Sequence, residues 1–207
     1  MYGGEDDAIK KAMNQSASNN NSGAIDTLEA YLEKDPHNNK VRMVLANIAF
    51  KNMMINYAIM QLNIIIDIEP DHIEARKALL TIYKGDKKTI KEAQAQFDYL
   101  LERFPEDADL LNSYGIFCRM QLLNNKKAEE SYLKAIELDP DVSSYHMNYA
   151  ILLVNDLKRY DEGRAQLEKA IELDPNNDRA KDALRKLMEK KYPKEVPKRK
   201  LFSFLRK

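Results

Sequence analysis

The chain has 207 residues, with 33 Lys and Arg balanced by 33 Asp and Glu, one cysteine, three histidines and no tryptophan. That length is ample for a packed core, and 44% hydrophobic with 32% charged residues is the composition of a folded protein and not of a disordered one. A lone Cys118 excludes an intrachain disulfide framework and fits a reducing, cytoplasmic setting, while no stretch approaches the ~18 apolar residues of a membrane span and the acidic start Glu5-Asp6-Asp7 predicts no signal peptide.

Along the chain, the organising signal is a repeat. Prolines at 36, 70, 105, 140 and 175 are separated by 34, 35, 35 and 35 residues, and KAIELDP at 134–140 recurs unchanged at 169–175. Residues 1–4 are expected to be disordered. A first, degenerate unit follows, with a leading helix at about 5–17 and a second helix carrying Ala24, Leu28 and Tyr31 before Pro36. Each later unit reads as two helices. Val41 to Phe50 leads the second unit and Leu110 to Met120 the fourth, and each trailing helix is amphipathic, as with Ala128, Tyr132, Ala135 and Ile136. Proline closes the trailing helix, because it lacks an N–H and disfavours helical geometry in the residue before it. Short polar residues follow at once (His37-Asn38, Asp71, Asp107, Asp141, Asn176-Asn177) and are suited to cap the next helix. Turns are predicted at Gly85-Asp86, Asn124-Asn125 and Asn155-Asp156. After Pro175, residues 177–191 form one more helix with Ala180, Ala183, Leu184, Leu187 and Met188 on one face and charges on the other, as the end of a stack needs. Residues 192–207 break that helix with Pro193 and Pro197 and form a basic tail. Between 190 and 207 there are eight Lys or Arg against Glu195, a net +7, which leaves −7 on 1–189. An acidic body speaks against nucleic-acid binding over the main surface.

These residues resemble the tetratricopeptide repeat family over about 5–191. Its pattern of bulky, small and aromatic positions followed by proline is met by Leu45-Ala46, Ala49, Ala58, Leu62 and Ile65 before Pro70. It is met again by Leu79-Leu80, Tyr83, Ala93, Phe97 and Leu100 before Pro105. Leu111, Tyr114-Gly115, Cys118, Ala128, Tyr132 and Ala135 precede Pro140, and His146, Tyr149-Ala150, Leu153, Gly163, Leu167 and Ala170 precede Pro175. Two departures stand out. Lys11 takes a normally bulky place in the first unit, and units three to five carry one extra residue in the turn between their helices. The 35-residue period also suits the pentatricopeptide RNA-binding family, but the Ala–aromatic–Ala–Pro order and the acidic body disfavour it. The resemblance implies an all-α, right-handed superhelical solenoid of antiparallel helix pairs, about five units plus a capping helix.

Catalysis finds little support. Cys118 falls where two helices of a unit pack, so a buried, inert thiol is expected. His37 and His72 sit at helix starts, and His146 takes a core position. No His or Cys pair has metal-ligand spacing, no glycine motif cradles a phosphate, and the carboxylates interleave with lysines on helix faces. No enzyme activity, cofactor or metal is therefore expected. The resemblance implies instead a concave groove of leading helices that takes a peptide or helix of a partner protein. Met43, Asn47, Phe50, Lys77, Asn112, Ile116, Met120, Met147, Asn148 and Ile151 are its candidate lining, with adaptable methionines and amides able to pair a peptide backbone. The chaperone-binding members' carboxylate clamp is matched in place only by Asn148 and Arg179, so that activity is disfavoured. An alternative is a membrane-surface adaptor docked through Lys198, Arg199, Lys200, Phe202 and Phe204 of the tail. Self-association is left open.

Overall fold

In the computed structural model, residues 4–192 are described, and they hold eleven α-helices and no strand. The chain divides into two compact units, one ending at Leu100 and the other starting at Leu101. In the first unit lie α1 (Glu5–Ala17), α2 (Asn21–Leu32), α3 (Asn39–Lys51), α4 (Ile55–Ile68), α5 (Ile73–Tyr83) and most of α6 (Ile90–Arg103). The second holds α7 (Ala108–Met120), α8 (Asn125–Leu138), α9 (Ser143–Leu152), α10 (Tyr160–Leu173) and α11 (Asp178–Lys191). Each proline-marked period is thus one helix pair, and α11 stands after the last. The expected basic tail and the first three residues of the expected disordered start lie outside the described residues.

Polar residues after the prolines do start helices. The side chains of Asn38, His72, Asp107 and Asn177 accept hydrogen bonds from the backbone N–H groups of Val41, Ala75, Leu110 and Ala180 at 2.9–3.2 Å. Each satisfies a donor the helix cannot pair itself. Asp71 and Asp141 stand one residue too early to cap. In place of a cap on α9, Ser143 Oγ donates to the Ala170 carbonyl at 2.7 Å and accepts from Asn177 Nδ2 at 2.9 Å, tying α9 to α10 and α11.

A second recurring device sits six residues past the prolines. Arg42 donates to the Pro36 carbonyl (2.6 Å from Nη2) and to Gln61 Oε1 (2.7 Å). Arg76 reaches the Pro70 carbonyl (2.8 Å) and Gln96 Oε1 (3.3 Å). His146 holds the same place, Nε2 2.8 Å from the Pro140 carbonyl and Nδ1 2.7 Å from Gln166 Oε1. Proline frees that carbonyl by ending the helix, and the next helix supplies its partner at Pro36, Pro70 and Pro140. His146 is accordingly a satisfied core histidine.

The turn insertions are absorbed in three ways. Ahead of α6 it becomes a 3-10 turn, Lys87–Thr89. Between α7 and α8 the turn lengthens to residues 121–124, against 52–54 between α3 and α4; Asn124 caps α8, and Leu123 is left-handed (φ 51°) as Met53 is in the shorter turn (φ 61°). After α9 the backbone widens into a π turn, Leu153–Leu157, closed by Lys158 at φ 60°. Turns of this kind add residues without moving the flanking helices out of contact.

Small residues bring the helices of a pair together. Ala12, Ala24, Leu28, Val41 and Leu45 form one buried cluster in the first unit, joined by Ile9. Ile9 and Ala12 face inward on α1 and leave Lys11 exposed, so the first unit closes despite its departure from the pattern. In the second unit Cys118, Ala128, Tyr132, Tyr149, Leu152 and Leu153 cluster, and Cys118 is the buried thiol expected. Beyond them Met147, Ala150, Leu167, Ala170 and Ile171 meet Ala180 and Leu187 of α11. Along α11, Asp182 pairs with Arg185 and Lys186, and Arg185 with Glu189.

Candidate functional site

The leading helices α7 and α9 carry the candidate groove of the second unit. Ile116 and Met120 stand on α7 with 40% and 54% of their surface exposed, although a helix in contact on both sides would bury them. Asn112 and Asn148, half-buried, meet across the helices, Asn148 Nδ2 donating to Asn112 Oδ1 at 3.0 Å. That bond uses one donor and one acceptor and leaves an amide N–H2 on Asn112 and a carbonyl oxygen on Asn148 available, the complement of an extended peptide's own N–H and C=O. Ile151 is half-buried one turn beyond Asn148.

Met147 differs from expectation. It is only 4% exposed and lies in the cluster with Leu167, Ala170, Ile171 and Leu187. Helix α9 packs against α8 and α10, and its neighbours bury three successive side chains: Tyr145 clusters with Leu111 and Ala135, His146 bonds Gln166 of α10, and Met147 meets Leu167 of α10 and Leu187 of α11, while Asn148 and Ile151 stay half-buried. Helical periodicity places Met147 beside Asn148, but the position of α11 decides that it is core.

In the first unit Met43 is half-buried, and Asn47, Phe50 and Lys77 are exposed. Phe50 continues into an exposed apolar corner with Met53 and Met54 at the α3–α4 turn. The tail residues Lys198, Arg199, Lys200, Phe202 and Phe204 lie outside the described residues.

Electrostatics around the second unit are structural. Arg119 Nε donates to Asp156 Oδ2 at 2.6 Å, linking α7 to the turn after α9. Arg159 bridges Glu162 and Glu129, and Tyr149 also donates to Glu129 at 2.7 Å. Hydrogen bonding to Arg159 holds the Glu162 carboxyl below the usual carboxylate range. Among the described residues no three His, Cys, Asp or Glu side chains stand where they could share a metal ion. Nor is any of their helices long and apolar enough to cross a membrane.

Sequence reasoning passed over two features. The Asn112–Asn148 pair is 36 residues apart, so the two stand one position off equivalence in a 35-residue period and their pairing depends on how α7 and α9 lie together. The second is the set of cations around the α9–α11 cleft: the sequence places Lys190 and Lys191 in the basic C-terminal run and Arg179 and Lys186 on the charged face of the cap, and it gives Lys158 no role. Their convergence requires α11 to lie against α9 and the π turn.

The Tetratricopeptide repeat family model matches residues 90–141 and 119–178. No curated protein matches the sequence. Solved structures do. A tetratricopeptide repeat protein from Parabacteroides merdae superposes with a TM-score of 0.77 at 19% identity, over 93% of this chain and 80% of that one. For MamA the TM-score is 0.68 at 19% identity, over 92% and 94%. YrrB, described as a TPR protein with an unusual peptide-binding site, gives 0.69 at 17% identity, over 86% and 90%. Proline-closed helix pairs at a 35-residue period, small residues at the contacts within each pair and a terminal amphipathic helix are all in place: residues 90–178 match the tetratricopeptide repeat model, and the chain shares the fold of these solved structures.

Proposed function

We propose that the chain is a non-enzymatic scaffold that captures a peptide or helix of a partner protein on its leading helices. Tetratricopeptide repeat proteins are protein-interaction scaffolds, which supports the class. The specific reading rests on the α7–α9 face, where open amide groups of Asn112 and Asn148 lie beside the exposed side chains of Ile116 and Met120. An apolar side chain of the partner sits on Ile116 and Met120 while its backbone pairs with the two amides. Met43, Asn47, Phe50 and Lys77 offer the same kinds of group on the first unit.

The test is a peptide selected from a random display library on the native chain, measured against Ile116→Glu. A charge at a desolvated contact of this kind should cost ~2 kcal/mol or more, roughly 30-fold in affinity. Because Ile116 is exposed the fold should survive, whereas Leu62→Glu, fully buried between α3 and α4, should unfold the chain. Unchanged affinity in a folded Ile116→Glu variant would mean that the partner does not use this face. The membrane-surface alternative rests on tail charge alone. It is tested by co-sedimentation of the full chain and a 1–191 truncation with phosphatidylserine vesicles.

A further inference from the structure

A cleft of about 450 Å³ opens between α9 with its π turn and the terminal helix α11. Its floor is apolar, built from Ile151 and Val154 on the α9 side, Ala183 and Leu187 on α11, and the ring of Tyr160. Lys158, Arg179, Lys186, Lys190 and Lys191 stand around it, against Asp182 alone. All five cations are exposed.

They are not equivalent. Lys186 is neutralised by Asp182 at 2.6 Å, and Lys191 lies 4.2 Å from the centre of the Tyr160 ring. Lys158 is turned back on the Asn155 carbonyl by its left-handed backbone. Arg179 and Lys190 have no acidic partner among the described residues. Residues 1–189 carry a net −7, so a cationic rim here runs against the surrounding field and selects for anions at one place.

We propose that this cleft binds an acidic, apolar peptide segment, one or two large apolar side chains seated on Ile151, Val154 and Leu187 with flanking side-chain carboxylates held by Arg179 and Lys190. This rests on the peptide-capture reading and adds the partner's chemistry at one end of the α9 face. The size fits: pockets of roughly 300–1,000 Å³ bury drug-sized ligands, room enough here for one or two large side chains. An acyl chain is a poorer occupant, because a cleft walled by two helices leaves most of its length in water. The chain's own basic segment beyond Pro193 is repelled by the same cations. The π turn is part of the device. Gly163 lets it approach so closely that a Cβ there would stand 2.4 Å from Val154 Cγ2, which places Val154 on the floor.

The experiment is fluorescence anisotropy of the full chain with three labelled synthetic decapeptides of one apolar pattern, Leu and Phe flanked by Asp and Glu, by Asn and Gln, or by Lys. The acidic peptide should bind at least about ten-fold more tightly than its amide counterpart, with the lysine peptide weakest and the preference falling as salt rises. Arg179→Glu and Lys190→Glu, both at exposed positions, should each lower acidic-peptide affinity several-fold with the melting temperature unchanged, and Ile151→Asp should lower affinity for all three. Equal binding of the acidic and amide peptides, or charge-reversed variants that bind the acidic peptide as the native chain does, overturns the proposal. So does binding of phosphatidylserine vesicles, or concentration-dependent self-association in sedimentation, that the same reversals abolish without any peptide binding. If Ile116→Glu weakens the library-selected peptide while the cleft variants leave the acidic one untouched, peptide capture stands and this proposal falls.

Discussion

Gly115 is where α7 and α8 approach most tightly, and enlarging it is the sharpest test of how the helix pairs are held. A Cβ at this position would stand 2.6 Å from Tyr132 Cε1, 2.8 Å from Cδ1 and 3.0 Å from Cζ. The Tyr132 ring is fully buried beside Cys118, Ala128, Tyr149 and Leu152, so it has no solvent side to swing into. Overfilling a well-packed site costs ~1–3 kcal/mol. Replacing a mid-helix glycine by alanine recovers about 1 kcal/mol of helix propensity. The clash therefore wins, and Gly115→Ala should lose about 1 kcal/mol, roughly 2–4 °C in Tm for a chain of this length. Gly85→Ala is the control: its nearest neighbour would be the Ile82 carbonyl at 3.7 Å, an ordinary contact, and its Tm should hardly move. In a Tyr132→Leu background the ring atoms are gone and Gly115→Ala should become neutral or stabilising, a coupling of about 1–2 kcal/mol in the double-mutant cycle. Urea and thermal melts followed by far-ultraviolet circular dichroism measure the native chain and the four variants. A Gly115→Ala chain more stable than the native one, with no coupling to Tyr132, would refute the close approach of α7 and α8.

Two further perturbations probe the ends of the fold's working range. Removing residues 176–207 uncovers the surface that Leu187 and Met188 bury, about 1.5–3 kcal/mol for each side chain, so Tm should fall by roughly 10 °C. An unchanged melt would mean that α11 is not a cap. At alkaline pH, burial raises the Tyr132 phenol well above its ordinary value, and burial together with the Asp109 hydrogen bond does the same to Tyr145. Burial and then the bonds to Glu29 and Glu129 push Tyr57 and Tyr149 up to about 12 from an ordinary 10.0. A phenol raised on folding contributes stability that is complete below the unfolded value and lost as pH climbs through the folded one. Urea stability should thus hold to about pH 10 and fall steeply toward 12, with a shallower fall in Tyr132→Phe. A flat profile over that range would contradict the burial of these rings.

What the sequence determined by itself was everything that depends on period and on local chemistry. Prolines at 35-residue intervals mark helix ends because a missing N–H stops a helix whatever surrounds it, and Asn38, His72, Asp107 and Asn177 cap because capping needs only the residue and the helix it precedes. Cys118, Tyr132 and Ala135 are core for the same local reason, the apolar face of an amphipathic helix. Three-dimensional contact decided the rest. Met147 lies one residue from Asn148, yet α11 and α10 bury the one while the other faces the groove side. The extra turn residues read alike in sequence but became a 3-10 turn, a longer loop ending on the cap Asn124 and a π turn, outcomes that the local residue pattern does not separate. Arg42, Arg76 and His146 looked like unrelated residues until the prolines' freed carbonyls and the facing glutamines placed them in one role. The cationic rim of the α9–α11 cleft belongs to the same class. Lys158, Arg179 and Lys190 come from two elements and converge only once those elements are in contact, a relation between surfaces that no local pattern of residues encodes.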